Sequence, residues 1–200
     1  MKNKAFFASE SYQTNNQTLN FMRKVVLALF FLAGMNTANA QDRQNAIKIN
    51  PLSLAIATGN VAYERAVNEN QSFQLGGFYS GISLGDVKYT GYGITPEYRF
   101  YFGGAKQALN GIYAAPFVRY QNFKFKEKSS SDNISFTSLG GGATIGWEKS
   151  WNSGFVLDIF AGPTYGNVKV KSTYDNNDAE LLGKLDGFGI RTGITLGFSF

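Results

Sequence analysis

The 200-residue chain contains no cysteine and no histidine. The first absence excludes disulfides, a thiolate nucleophile and a lipid-anchoring cysteine. The second excludes an imidazole general base, an imidazole metal ligand and every Ser-His-Asp or Cys-His arrangement. Proline is scarce, four residues against 23 glycines, and only 16% of the chain is charged. Past residue 40 no apolar run approaches the roughly 20 residues of a membrane-spanning helix. That absence leaves membrane strands open, because they carry alternating rather than continuous hydrophobicity.

The N-terminal segment reads as targeting sequence. Arg23-Lys24 is a basic n-region, Val25–Gly34 a ten-residue apolar h-region, and Ala38-Asn39-Ala40 a small-x-small cleavage pattern. Cleavage is expected between Ala40 and Gln41. Residues 1–21 are polar and read as an over-extended start, 22–40 as a secretory signal peptide, and 41–200 as one mature domain. From Gln41 onward 15 basic residues face 13 acidic ones, a net charge of +2, so no nucleic-acid footprint is expected.

What is present is alternation. From Gly187 to Phe200 the apolar residues Phe188, Ile190, Ile194, Leu196, Phe198 and Phe200 alternate with Gly189, Arg191, Gly193, Thr195, Gly197 and Ser199. A period of two is that of a strand with unlike faces. Seven further strands are expected over 45–56 (interrupted at Pro51), 60–67, 71–81, 90–102, 111–125, 134–151 and 154–171. Their connections alternate between tight turns, such as Asn68-Glu69-Asn70, and longer polar loops over 82–89, 126–133 and 172–186. The connection near Thr58-Gly59 is short for its place in this pattern.

The polar face of these strands carries Lys48, Glu64, Glu97, Arg99, Arg119, Glu148, Asp158 and Arg191 among glycines. Three features turn it inward. Its small residues suit a narrow interior, its charges balance and can pair where an unpaired ion would be costly, and aromatics cluster at strand ends. A salt-bridged plug is the expected role of the eight charged residues. The opposite assignment, apolar face inward, describes a soluble lipocalin-like binder.

The chain resembles the small eight-stranded outer-membrane barrels typified by OmpA's membrane domain, OmpX and OmpW. It is most similar to a group of small barrels of unknown function with a Tyr-Glu-Arg-Ala segment, here Tyr63-Glu64-Arg65-Ala66. The resemblance implies an all-β, eight-stranded antiparallel up-and-down transmembrane β-barrel in the cell outer membrane. It implies Ile194, Leu196, Phe198 and Phe200 as the C-terminal assembly signal, read by the outer-membrane assembly machinery after delivery by periplasmic chaperones. Outer-membrane lipids and lipopolysaccharide are the expected partners. Lys124, Lys126 and Lys128 are candidate contacts to lipopolysaccharide phosphates, and Trp147 and Trp151 candidate anchors at the periplasmic interface. Asp175, Asp178, Glu180 and Asp186 read as a flexible acidic loop whose spacing does not fit a calcium loop. A monomer without cofactor, metal, nucleic acid or enzymatic activity is expected, of structural or surface-interaction role. A narrow channel or transporter for small or apolar solutes is the alternative.

Overall fold

The computed structural model describes residues 43–84, 87–127, 133–174 and 177–200. The targeting segment and the Ala40/Gln41 cleavage site lie outside these residues. Eight antiparallel strands form one sheet: β1 (Asn45–Ile49), β2 (Thr58–Asn68), β3 (Gln71–Leu84), β4 (Val87–Gln107), β5 (Asn110–Glu127), β6 (Asn133–Ser150), β7 (Phe155–Tyr174) and β8 (Asn177–Ser199). Each pairs with its sequence neighbours, and β1 also pairs with β8, so the sheet rings round on itself. Among the described residues no helix is long and apolar enough to cross a membrane, which says nothing of strands.

The period of two settles the faces. Ile94, Ile112, Val118, Leu139, Ile145, Trp147 and Ile159 are exposed on the outside, while Lys48, Glu64, Glu97, Arg99, Glu148 and Asp158 are buried within. The expected face assignment therefore holds for these positions, with the six charges inside and the large apolar residues outside.

Pro51 does not break a strand that continues beyond it; it opens a one-turn helix, α1 (Pro51–Leu54). Asn50 caps this turn, its Oδ1 accepting from the backbone N–H of Leu52 at 3.0 Å and Ser53 at 3.3 Å. Asn before Pro supplies an N-cap followed by a residue preset for the first helical position, which outcompetes strand extension. The other correction concerns the loops expected over 82–89, 126–133 and 172–186. Strand structure runs into all three: β3 reaches Leu84, β4 begins at Val87, β5 reaches Glu127, β7 reaches Tyr174 and β8 begins at Asn177. Polar residues continue these hairpins because ladder bonds are made by backbone, whatever the side chains.

The ring has two unlike ends. The turn end gathers the β2–β3, β4–β5 and β6–β7 connections with the start of β1 and the end of β8. Here the β4–β5 hairpin folds beneath the ring. Ala108 N–H donates to Glu69 O at 2.7 Å, Leu109 takes the left-handed conformation (φ 68°), and Leu109 packs with Ala46 of β1 and Val156 of β7. The opposite end is uneven, because β1 is five residues long and β8 is 23.

Candidate functional site: the buried charge network

Seven of the eight predicted interior charges come together at the level of β1. Lys48 projects from β1, Glu64 from β2, Glu97 and Arg99 from β4, Glu148 from β6, Asp158 from β7 and Arg191 from β8. Register brings them together: Lys48 lies opposite Ala62, two residues before Glu64, and Glu148 lies opposite Asp158. Lys48 Nζ pairs with Glu64, with Glu148 at 2.8 Å and with Asp158 at 3.3 Å. Arg99 reaches four carboxylates: Glu97 from Nε at 2.7 Å, and Glu64, Glu148 and Asp158 from Nη1 at 3.1, 2.9 and 3.0 Å. Arg191 pairs with the second oxygen of Glu97.

Four neutral side chains complete the cluster, Tyr101, Tyr113, Ser72 and Thr195, and sequence reading had missed them; Thr195 Oγ1 donates to Asp158 Oδ2 at 3.4 Å. Tyr101 Oη lies 2.7 Å from Glu64 Oε1 and 2.6 Å from Glu148 Oε2. Tyr113 Oη donates to Asp158 Oδ1 at 2.8 Å, and its ring lies under the Arg99 guanidinium at 4.3 Å. Ser72 donates to Glu64. The available signal was parity: Tyr101 follows Arg99 by two, and Tyr113 shares the face of Arg119.

This arrangement is closed on its acidic side, while Arg99 Nη2 is buried without a hydrogen-bond partner. Removing such charges from water costs several kcal/mol per ion, and only dense pairing offsets it. Every carboxylate here already meets a cation. Among the described residues no acidic group is disposed to hold a metal. The charged residues come from six strands, and with Ser72 of β3 and Tyr113 of β5 the cluster ties all eight together.

The eighth charge, Arg119, does not join. It sits on β5 nearer the opposite end, its guanidinium 5.5 Å from the Phe78 ring, and its buried Nε has no hydrogen-bond partner. The remaining predicted residues are placed as follows. Ile194, Leu196, Phe198 and Phe200 line the outward face and end of β8, and Phe200 exchanges two backbone hydrogen bonds with Asn45. Lys124 and Lys126 are exposed on β5 away from the turn end, and Lys128 lies outside the described residues. Trp147 and Trp151 are exposed at the turn end, where Trp151 packs on Phe155. Asp178, Glu180 and Asp186 belong to β8 rather than to a loop, while Asp175 lies outside the described residues. In the Tyr63–Ala66 segment, Glu64 faces the network and Tyr63 turns outward, its hydroxyl 2.6 Å from Asn45 Oδ1.

The profile of a family described as protein of unknown function (DUF3575) matches residues 26–186. No curated protein matches the chain.

Proposed function

The chain belongs to this family of unknown function, and from its geometry we propose that it is an integral outer-membrane protein, an up-and-down β-barrel that spans the lipid and serves a structural or surface-interaction role. The observation that carries this reading is the inverted partition, with apolar side chains over the outside of a closed sheet and a densely paired ion network within. In water that surface would far exceed the few hundred Å² of contiguous apolar patch a soluble monomer tolerates. In lipid it is the required surface, and ring closure satisfies the backbone groups that lipid cannot along every seam except β1–β8, where pairing stops at Ile49 and Leu196.

Dimensions support the same reading. Phe188 and Phe198 lie ten residues apart on the outward face of β8. At the rise and tilt usual for such strands this is about 25 Å along the ring axis, the height of a lipid-facing band. The plugged lower half favours a structural role over a channel. A lipocalin-like binder would turn its apolar face inward.

Electrophoretic migration of the detergent-folded chain, boiled and unboiled, tests the proposal. A faster unboiled band that reverts on boiling is expected. Solubility without detergent and no shift would overturn it.

A further inference from the structure

The half of the interior above the plug carries an uncompensated charge. Arg119 has a buried Nε without a partner, and no carboxylate among the described residues pairs with it. The neighbouring Arg191 only adds like charge. Its guanidinium lies over the rings of Phe117 at 4.5 Å and Phe160 at 4.7 Å and is committed to Glu97. A partly desolvated cation among aromatic rings is costly without an anion.

The wall beside Arg119 is bare. Arg119 stands opposite Gly140, Gly140 opposite Gly166, and Gly166 opposite Gly187. All three glycines lie on the inward-facing positions of their strands. The next row toward the plug runs Phe117, Gly142, Thr164, Gly189. A row without side chains therefore leads from Arg119 across β6 and β7 to β8, three strand spacings or about 14 Å; at Gly140 and Gly166 the β6 and β7 backbones close together, a Cβ at Gly140 meeting Tyr165 O at 2.6 Å and one at Gly166 meeting Gly140 Cα at 3.2 Å, so the row there is a smooth wall with no pocket in it. At Gly187 the row is open: a Cβ built there meets nothing within 4 Å.

The row ends where the wall is incomplete. β1 stops at Ile49, opposite Leu196, so above Leu196 that edge of β8 has no paired strand. Phe200 turns its N–H and C=O toward β1, so by alternation Ile194, Thr192, Ile190 and Phe188 turn theirs into the gap. Phe188 and Ile190 are 86% and 82% exposed, against 37–68% for the other exposed large apolar residues, as a missing neighbour requires. Among the described residues only α1 stands in the gap, near both β2 and β8, with Leu52 exposed on it.

From these three features we infer that the protein binds a single-chain anionic amphiphile. Its carboxylate or phosphate head pairs with Arg119, and its apolar chain lies over the glycine row and leaves through the gap between β8 and α1. The Arg119 guanidinium, its Nε unpartnered, selects the anion. Bare, aromatic-flanked walls opening onto an apolar outer face select the chain. A ring of eight strands, breached by a gap at one seam, leaves room for one chain. The direction of entry rests on the membrane reading; the head site does not.

The test uses the full chain folded in non-ionic detergent and a diazirine-bearing palmitate, with cross-linked residues mapped by peptide mass. Labels are expected on inward residues of β5 and β8. Arg119→Gln should lower labelling about tenfold or more, the usual worth of a charge-assisted hydrogen bond. Gly187→Leu, which fills open space, should do the same while keeping the heat-modifiable band. An uncharged hexadecanol diazirine should label wild type no better than palmitate labels Arg119→Gln. Competition by palmitate against 1-palmitoyl lysophosphatidate then identifies a free acid or a lipid headgroup as the preferred anion. Labels confined to outward residues such as Phe188, or unchanged in Arg119→Gln, would overturn the site. If the folded band persists in that case, the membrane reading stands; if wild type shows no folded band, that reading fails instead.

Discussion

Arg99 and Arg119 have the same side chain, stand on neighbouring strands and face the same interior, yet opposite consequences follow from removing them. Arg99 holds four carboxylates, and Arg99→Met would leave them buried against Lys48 and Arg191 alone. Loss of about 3–5 kcal/mol is expected, as for a buried ion network deprived of one partner. Arg119→Met breaks no ion pair and removes a poorly compensated cation, so its stability should stay within about 0.5 kcal/mol of wild type or exceed it. Urea unfolding of both variants in one detergent checks the contrast, and equal losses would contradict it. The glycines divide similarly. A Cβ at Gly142 would collide with Pro163 O and crowd the Phe117 ring, whereas one at Gly187 meets nothing within 4 Å. Gly142→Ala should therefore destabilise by about 1–3 kcal/mol and Gly187→Ala should be near neutral, read by the same unfolding assay.

Among the elements, β8 has the two most unequal edges, four residues paired with β1 against pairing with β7 from Asn177 to Phe198. From Leu185 onward its odd-numbered residues bond toward β7, as Ser199 N–H does to Gly154 O, while its even-numbered residues find β1 only below Thr195. Amide hydrogen exchange should therefore alternate above that level, slow at Gly189, Arg191 and Gly193 and fast at Ile190, Thr192 and Ile194. Uniform protection would mean that something in solution pairs this edge. Strand identity and facing were legible in the sequence because apolar residues recur every second position. The reach of β3, β5, β7 and β8 beyond the apolar stretch was not, because backbone pairing continues under polar side chains. The turn at Pro51 was legible as an interruption, but its helical form depended on Asn50 folding back as a cap.

For the molecule as a whole, parity predicted which charges face inward but not which of them meet. Meeting depends on axial level, set by the stagger between strands. Arg119 reads like Arg99 in one dimension and lies above the plug in three. Tyr101 and Tyr113 escaped notice because a phenol suits either face until a carboxylate is found beside it. The exposed Lys124 and Lys126, away from the turn end, belong to the proposed outer surface. Replacing both with Gln should reduce co-purifying lipopolysaccharide severalfold without altering heat-modifiability, measured on protein extracted from outer membranes. Unchanged retention would remove phosphate contact from their role.

Leu109 carries a consequence for the order in which the ring is made. Its left-handed backbone costs about 1–2 kcal/mol, and its apolar partners, Ala46 and Val156, belong to the first and seventh strands. During growth of the sheet from either terminus those partners are far apart, so the strained hairpin tip has nothing to rest on. They come within reach of one side chain only when the two ends of the chain have met. The tip is thus a latch that engages last, rewarding closure itself rather than any single hairpin.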